Sequence, residues 1–312
     1  MIKRHRFTVK DSENGRRLDH VISDSISGLS HKKAKMLVDK GLVYINGKRI
    51  RIASASVRIG DRIDVDYETE MANVSGLQPF SFCDKDILFN RDGMIAVNKP
   101  PGLLSQPGKD RKLPHVCSVL GKYLGSEEDL KITHRLDKET SGVLLVGRNP
   151  DATAWLMECF RRRLVEKEYH AICYGISKRR IFEERCFLGR IDENSGVVRE
   201  VTSGGRDSRT KFEVIDEFKE EGLSLIRAMP VTGRSHQIRV HLEKNGLPIV
   251  GDKVYGGLAK QRLSPELENL SLKHHLLHCR RLTLPGVDGK GIIAIEAEYP
   301  TCFFEFIRKL RS

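Results

Sequence analysis

The sequence predicts an α+β protein with two domains. Its 312 residues correspond to about two domains of ordinary size, and each is long enough to bury a hydrophobic core. Hydrophobic residues make up 39% and charged residues 31% of the chain, a balance typical of globular rather than disordered proteins. Beyond residue 84 the sequence lacks the regular strand–helix alternation of a doubly wound sheet, so we expect a mixed, mostly antiparallel sheet flanked by helices and loops.

Residues 1–75 are predicted to form a small domain of two helices followed by a sheet. Apolar residues recur at helical spacing over residues 18–26. Ser30 is a typical N-cap for a second helix, and Gly41 is a typical residue to end it. Apolar residues then flank Asn46-Gly47, which is the strongest short-range signal of a β-hairpin, and an alternating strand follows.

A linker is predicted over residues 76–83, and a second domain over residues 84–312. Around the linker the sequence loses both its periodicity and its charge. In the second domain a helix is predicted over residues 152–164. Strands are predicted over residues 87–89, 94–97, 143–146, 169–174, 211–215, 223–229 and 292–297.

The chain is strongly basic. Lys and Arg number 54 against 42 Asp and Glu, which gives a net charge of +12. The usual partner of such a surface is a polyanion such as a nucleic acid, although a charge of this size also serves solubility.

Cysteine usage and hydropathy favour a cytoplasmic protein. The seven cysteines are odd in number and include no C-x-x-C pair, which disfavours zinc ribbons and disulfide frameworks and favours reduced thiols. No apolar run approaches the roughly 20 residues that a membrane-spanning helix needs, and no apolar stretch follows the basic start of the chain. We therefore expect neither a membrane protein nor a secreted one.

Asp137 is the first candidate for chemistry. It lies in a polar loop between the cationic residues Arg135 and Lys138, just before the apolar strand 143–146. Such surroundings keep a carboxylate ionised and anchored, as a nucleophile or a base requires. The alternative is a structural turn in which Asp137 caps its own backbone.

Arg239 is the second candidate, within the segment 232–242. The alternation of this segment would fit a strand, but Ser235 as N-cap and Gly246 as terminator fit a short helix better, and we predict the helix. A partly buried guanidinium needs an anion, best of all a bidentate carboxylate, and Asp137 is a candidate. The two histidines of the segment have no third residue at a spacing suited to zinc, so we predict no metal.

Two further features allow two interpretations each. Tyr169, at the start of a predicted strand, is either a core residue or a platform on which an unstacked base packs. Five basic residues on and just before the predicted helices of the first domain either form a solvated face or contact RNA phosphates. This basic cluster consists of Arg16, Arg17, Lys32, Lys33 and Lys35.

Both parts of the chain resemble known families. Residues 16–66 are similar to the alpha-L RNA-binding domain, which is named after a small-subunit ribosomal protein. The motifs that carry this likeness are RLD at 17–19, GLS at 28–30, GLV at 41–43 and ING at 45–47. Residues 84–308 resemble the RluA-type pseudouridine synthase family. Its motifs here are HRLD at 134–137, TSG at 140–142, EKEY at 166–169 and GRSHQIRVHL at 233–242.

The second resemblance implies an enzyme that isomerises specific uridines to pseudouridine in structured RNA without a cofactor. Asp137 would be the essential carboxylate and would act on a flipped-out nucleotide, either by covalent attack or by abstracting a ribose proton. Arg239 would pair with Asp137 and keep it ionised. Tyr169 would pack on the target base and is the candidate base for the carbon 5 proton. Arg135 would fill the gap that the extruded nucleotide leaves.

The alpha-L domain implies that large-subunit ribosomal RNA is the first candidate substrate and transfer RNA the second, and that the basic cluster contacts RNA phosphates. Two other classes of function are a non-catalytic RNA-binding or ribosome-assembly protein and an RNA N-glycosidase that releases uracil. The set of Asp137, Tyr169 and Arg239 speaks against the first, because a binder has no need of it, and the family resemblance speaks against the second. We expect a monomer.

Overall fold

The computed structural model describes residues 2–26, 29–68, 80–108, 110, 113–126, 129–191, 196–256, 263–287 and 289–312. The chain divides into two compact units, Met1–Phe80 and Ser81–Ser312, which we call the amino-terminal unit and the carboxy-terminal unit. Of the predicted linker, residues 76–79 lie outside the described residues.

The amino-terminal unit combines two helices with a four-stranded antiparallel sheet of strand order β1-β4-β2-β3. Its helices and strands are β1 (Ile2–Thr8), α1 (Leu18–Ser25), α2 (His31–Asp39), β2 (Val43–Ile45), β3 (Lys48–Ile50) and β4 (Arg62–Glu68). The two predicted helices and the predicted hairpin are confirmed. The sheet, however, begins before the helices, because β1 pairs along its whole length with β4.

Local sequence explains most of this unit. The Ser30 side chain accepts a hydrogen bond from the Lys33 amide and so caps α2, and Gly41 ends that helix with φ +71°. Asn46 and Gly47 take φ values of +50° and +78°, as a tight hairpin turn requires. The apolar sides of the helices and the sheet bury a common core that includes Leu18, Val21, Ile22, Leu37, Val38, Ile63 and Val65.

The carboxy-terminal unit is built on an 11-stranded sheet. Its strands are β5 (Ile87–Arg91), β6 (Met94–Lys99), β7 (Lys131–Ile132), β8 (Ser141–Gly147), β9 (Glu166–Tyr174), β10 (Ile181–Arg190), β11 (Val198–Glu200), β12 (Arg206–Phe218), β13 (Leu223–Pro230), β14 (Leu277–Pro285) and β15 (Ile292–Glu296). Its helices are α3 (Val116–Leu124), α4 (Pro150–Arg161), α5 (Gln237–Lys244), α6 (Pro265–Glu268) and α7 (Thr301–Leu310).

The predicted mixed, mostly antiparallel sheet is confirmed. Its main path runs β11-β10-β12-β13-β9-β14-β8-β6-β5, with β15 paired to β14 and β7 paired to β8. Among the described strands of this sheet the pairing of β14 with β8 is parallel, and the other pairings are antiparallel.

Strand β9 shows which face of the sheet is covered by a helix. Successive side chains of a strand point to opposite faces. Ile172 shares a core with Phe303 and Phe306 of α7, so that face of β9 is covered by a helix. Tyr169 therefore points to the opposite side of the sheet.

Several predicted elements of this unit differ in their bounds. Helix α4 begins after Asn149, whose side chain accepts from the Ala152 amide at 2.8 Å, and it ends before Arg163, which has φ +59°. Strand β12 has 13 residues because it pairs on both sides, with β10 and with β13. In the part of the chain that the structure describes, no helix is long and apolar enough to cross a membrane.

Candidate active site

A cavity of about 490 Å³ opens on the side of the sheet to which Tyr169 points. Its walls are formed by the loop between β7 and β8, by the end of α4 and the residues after it, by the first half of β9 and by the segment from the end of β13 into α5. Asp137, Tyr169 and Arg239, which come from three separate places in the sequence, all line it, as does Arg135.

The loop that carries Asp137 is held by hydrogen bonds to its backbone. The Ser105 hydroxyl donates to the Leu136 carbonyl at 2.7 Å and accepts from the Leu136 amide at 3.0 Å. The Thr140 amide donates to the Asp137 carbonyl at 3.1 Å. The turn is therefore closed by backbone groups. The Asp137 carboxylate, whose side chain is 19% exposed, is directed to Arg239 instead of capping its own loop.

Lys99 ties this loop to the neighbouring Pro-Pro-Gly turn. Its ammonium group is fully buried and donates to the carbonyls of Pro100 and Leu103, each at 2.9 Å, and of Lys138 at 3.1 Å. Burial lowers the pKa of Lys99 to about 7, an effect that the negative charges of Asp137 and Glu139 oppose. Sequence reasoning did not assign Lys99 a role, although a lysine between a buried strand and Pro-Pro-Gly was an available signal.

Arg239 is held by two carboxylates, and the bidentate partner is Asp252 rather than Asp137. Nε and Nη2 donate to the two oxygens of Asp252 at 2.6 and 2.9 Å. Nη1 donates to Oδ2 of Asp137 at 3.3 Å. The prediction that Arg239 reaches Asp137 is confirmed, but the expectation of a bidentate contact between them is wrong. Because the bidentate contact with Asp252 fixes the plane of the guanidinium, it also fixes the direction of Nη1, which is towards Asp137.

The charges of this pair stabilise each other. Burial alone would raise the pKa of Asp252, but hydrogen bonds from Arg239, together with the Tyr255 and Val254 amides, hold it at about 2. Burial alone would lower the pKa of Arg239, but Asp252, and then Asp137, raise it above its ordinary value. The Tyr255 ring packs on the guanidinium, with 4.8 Å between the carbon of the guanidinium and the ring centroid. Both groups therefore stay charged at neutral pH.

Tyr169 is buried, with only 8% of its surface exposed. Burial, and after it the neighbouring Cys279 and Asp137, raise its pKa well above the ordinary value of 10.0. The phenol is therefore protonated at neutral pH in the free protein. A general base must be deprotonated to act, so this environment favours a role in packing on a base over a role in proton removal.

The turn into α5 differs from the predicted N-cap at Ser235. The residue before the helix is His236, in the left-handed region with φ +56°, and it makes no side-chain cap. The Gln237 amide oxygen instead accepts from the Arg234 amide at 3.0 Å and from the Thr232 hydroxyl at 2.7 Å. The Gln237 side chain therefore accepts the hydrogen bonds at this turn that Ser235 was expected to accept.

Comparison with known proteins agrees with this geometry. The family described as RNA pseudouridylate synthase matches residues 93–244, and the S4 domain matches residues 16–63. A ribosomal large subunit pseudouridine synthase C of Rickettsia bellii is 33% identical over 282 residues, which cover 84% of this chain and 87% of that relative. The chain belongs to the RNA pseudouridylate synthase family.

Other members of the family support the same assignment. A ribosomal large subunit pseudouridine synthase D of Borreliella burgdorferi is 30% identical over 310 residues, covering 96% of this chain and 91% of the relative. Among solved structures, human RNA pseudouridylate synthase domain containing 4 matches with a TM-score of 0.59 and 27% identity, covering 72% of this chain and 92% of that protein. The predicted fold class, enzyme class and amino-terminal RNA-binding domain are confirmed.

The basic cluster of this pseudouridine synthase lies on the S4 domain, and its members differ in how far their charges are already paired. Arg16 bonds Asp24 at 2.6 Å, and Arg17 makes two bonds to Asp19. Lys33 is half-buried. Lys32 and Lys35, on the first turns of α2, are exposed.

The histidines that raised the question of zinc have other partners. His241 is buried and hydrogen-bonded to the Ser208 and Thr210 hydroxyls, both at 2.9 Å. His236 bonds the Tyr255 hydroxyl at 2.7 Å. In the described residues no group of three or more His, Cys, Asp or Glu side chains is placed to hold a metal ion.

Proposed function

We propose that this enzyme isomerises uridines of large-subunit ribosomal RNA, with Asp137 as its catalytic carboxylate. The substrate class rests on the relatives, which are named as ribosomal large subunit pseudouridine synthases C and D. The observation that carries the catalytic role is the position of Asp137, accessible in the cavity and 3.3 Å from Nη1 of Arg239.

In the proposed reaction a uridine leaves the RNA stack and enters the cavity. The bond between C1′ and N1 breaks, uracil turns, and C1′ bonds to C5, so that C5 loses a proton and N1 gains one. Asp137 starts this sequence by attacking C1′ or by taking a ribose proton, and both routes need an ionised carboxylate. Asp252 holds the charged Arg239 in place, and Arg239 in turn provides a cation beside Asp137 in this partly buried site.

The other site residues would hold the flipped nucleotide. Tyr169 offers a ring beside Asp137 on which the uracil packs. Arg135 is exposed at the edge of the cavity, where its side chain can enter the gap that the uridine leaves in the stack. Flipping the nucleotide costs a few kcal/mol. Contacts with the base in the pocket and with the RNA backbone offset this cost.

The experiment that tests this function is a map of pseudouridines in total RNA from cells with and without the gene. A site lost from large-subunit ribosomal RNA is the expected result, whereas a site lost only from transfer RNA would replace the substrate. Purified enzyme distinguishes the other classes. Isomerisation leaves the nucleotide mass unchanged, an N-glycosidase would remove a base, and a binding protein would do neither.

We also propose that the enzyme acts in the cytoplasm as a monomer. None of the seven cysteines, all of which lie in the described part of the chain, forms a disulfide, which fits a reducing compartment. Light scattering of the purified protein would test the monomer, and fractionation of cells would test the compartment.

The S4 domain is proposed to grip RNA phosphates through Lys32 and Lys35. A full-length variant with Lys32→Gln and Lys35→Gln should lower the slope of log affinity against log salt by roughly 1.4 to 1.8, because each lost phosphate contact removes about 0.7 to 0.9. Binding measured across a salt series checks this value. The matched control neutralises the exposed Lys122 and Lys219 of the other unit. An equal loss of slope in the control would show that total charge, and not α2, sets the affinity.

A further inference from the structure

The cavity carries more positive charge than the chemistry at Asp137 uses. Asp137 is the one carboxylate among its described lining residues. Six lining residues are cationic: Arg135, Arg161, Arg163, Lys167, Arg234 and Arg239. Arg239 is occupied by Asp252 and Asp137, and Arg161 makes two bonds to Glu158. The four others form no ion pair within 4.0 Å in the described part of the chain, so their charges are available to an anion from outside the protein.

Lys167 is the most informative of these four because it is not a surface lysine. It lies on β9 two residues before Tyr169, so both side chains point to the same face, roughly 7 Å apart along the strand. Its side chain is partly buried at the wall of the cavity. The intervening Glu168 points to the other face, where it contacts His170 and Arg227. A partly buried cation without a carboxylate is costly in the free protein, so its partner is expected to arrive with the substrate.

Two arginines line the same cavity as Lys167. Burial lowers the pKa of Lys167, the neighbouring Cys279 opposes this shift, and the charge of Arg163 adds to it. Arg163 follows α4 in a left-handed conformation that glycine usually occupies, and its amide bonds the Phe160 carbonyl at 3.2 Å. Arg234 lies in the segment between β13 and α5, where its Nε donates to the Asp207 carbonyl at 3.1 Å. The nearby Asp207 carboxylate is occupied by Arg185 at 2.9 Å.

We propose that Lys167, with Arg163 and Arg234, forms a phosphate-binding site that holds the RNA backbone next to the flipped uridine. This inference rests on the proposed function, because it assumes that the uracil packs on Tyr169. A nucleotide carries its base and its phosphate on opposite ends of the ribose. If the base packs on Tyr169, the adjoining phosphate therefore lies nearer the rim of the cavity. Lys167 is two residues from Tyr169 on the same face of β9 and is the less buried of the two. A phosphate oxygen is also the acceptor that a lysine and two arginines share most readily.

The test measures binding of full-length enzyme to an RNA that contains a target uridine. Lys167→Met, which keeps the length of the side chain and removes its charge, should weaken binding about tenfold or more. It should also lower the salt slope by about 0.7 to 0.9. Lys167→Arg should keep the slope, and Lys122→Met, at an exposed lysine on α3, should change neither quantity. The thermal midpoint of the free Lys167→Met protein should not fall and is expected to rise, because an uncompensated cation has been removed.

A chemical change in the RNA identifies the partner atom. A neutral methylphosphonate at the phosphate on one side of the target uridine should weaken binding of the wild type as much as Lys167→Met does. At that position, the methylphosphonate should cost the Lys167→Met enzyme little more. The proposal is wrong if the loss of affinity from Lys167→Met and the loss from the methylphosphonate add in full at both flanking phosphates. It is also wrong if Lys167→Met binds with wild-type affinity and salt slope. Pseudouridine formation by the wild type is read separately on the same RNA, so failure of this site and failure of the proposed function are distinguishable.

Discussion

An Asp137→Asn enzyme is expected to bind its RNA and to form no detectable pseudouridine. Asn keeps the size of the side chain, and its oxygen can still accept a hydrogen bond from Arg239. It cannot attack carbon as a carboxylate does, and it cannot take a proton. A group that acts in the transition state should cost several powers of ten in rate when it is lost, each about 1.4 kcal/mol.

Single-turnover release of tritium from uridine labelled at carbon 5 measures this loss, and equilibrium binding of the same RNA shows that the site remains formed. The control is Lys138→Gln, which changes the charge of the next residue in the loop. The Lys138 side chain is exposed, and only its backbone carbonyl takes part in the hydrogen bond with Lys99. A rate for Asp137→Asn close to that of the control would remove Asp137 from the mechanism.

An Asp252→Asn enzyme is expected to lose both stability and activity, although Asp252 would touch no substrate. Its carboxylate is fully buried and makes two hydrogen bonds with Arg239. Removing one partner of a buried ion pair leaves an uncompensated charge, which typically costs about 3 to 5 kcal/mol of the free energy of unfolding. The guanidinium would also be free to turn, so Nη1 would no longer be directed at Asp137.

Denaturant unfolding followed by the fluorescence of Trp155 measures the stability term, because the single tryptophan of the chain lies in the carboxy-terminal unit. The matched control is the double variant Arg239→Leu with Asp252→Leu, which removes both charges together. It should regain much of the lost stability but none of the activity, because Asp137 would then have no cation. A double variant as unstable as Asp252→Asn would show that packing, rather than charge, sets the cost.

The pH dependence of the same pair has a defined direction. The folded pKa of Asp252 is about 2, below its ordinary value of 3.8. Its ionised form therefore stabilises the fold above about pH 4, and this contribution, about 2 kcal/mol, is lost as the pH falls towards 2. The difference in the free energy of unfolding between the wild type and Asp252→Asn should be constant near neutral pH and should shrink in acid.

The sequence by itself determined the local structure and pointed to the candidate residues of the site. Apolar spacing and the Ser30 cap specify two helices, and Asn46-Gly47 specifies the hairpin between β2 and β3. These signals can be read because helix periodicity, capping and turn conformation each depend on a few neighbouring residues. The motifs HRLD at 134–137 and GRSHQIRVHL at 233–242 likewise contained Asp137 and Arg239, which are 102 residues apart in the chain and meet in one cavity.

Only the tertiary structure decided which distant strands and side chains contact one another. Strand β1 is a strand because β4 pairs with it from the far end of the domain. Lys99 is buried because three carbonyls from two loops surround its ammonium group, and Arg239 takes Asp252 rather than Asp137 as its bidentate carboxylate. A side chain's hydrogen bonds and burial depend on which distant segments the fold brings within about 3 Å. Neither periodicity nor residue spacing encodes that distance.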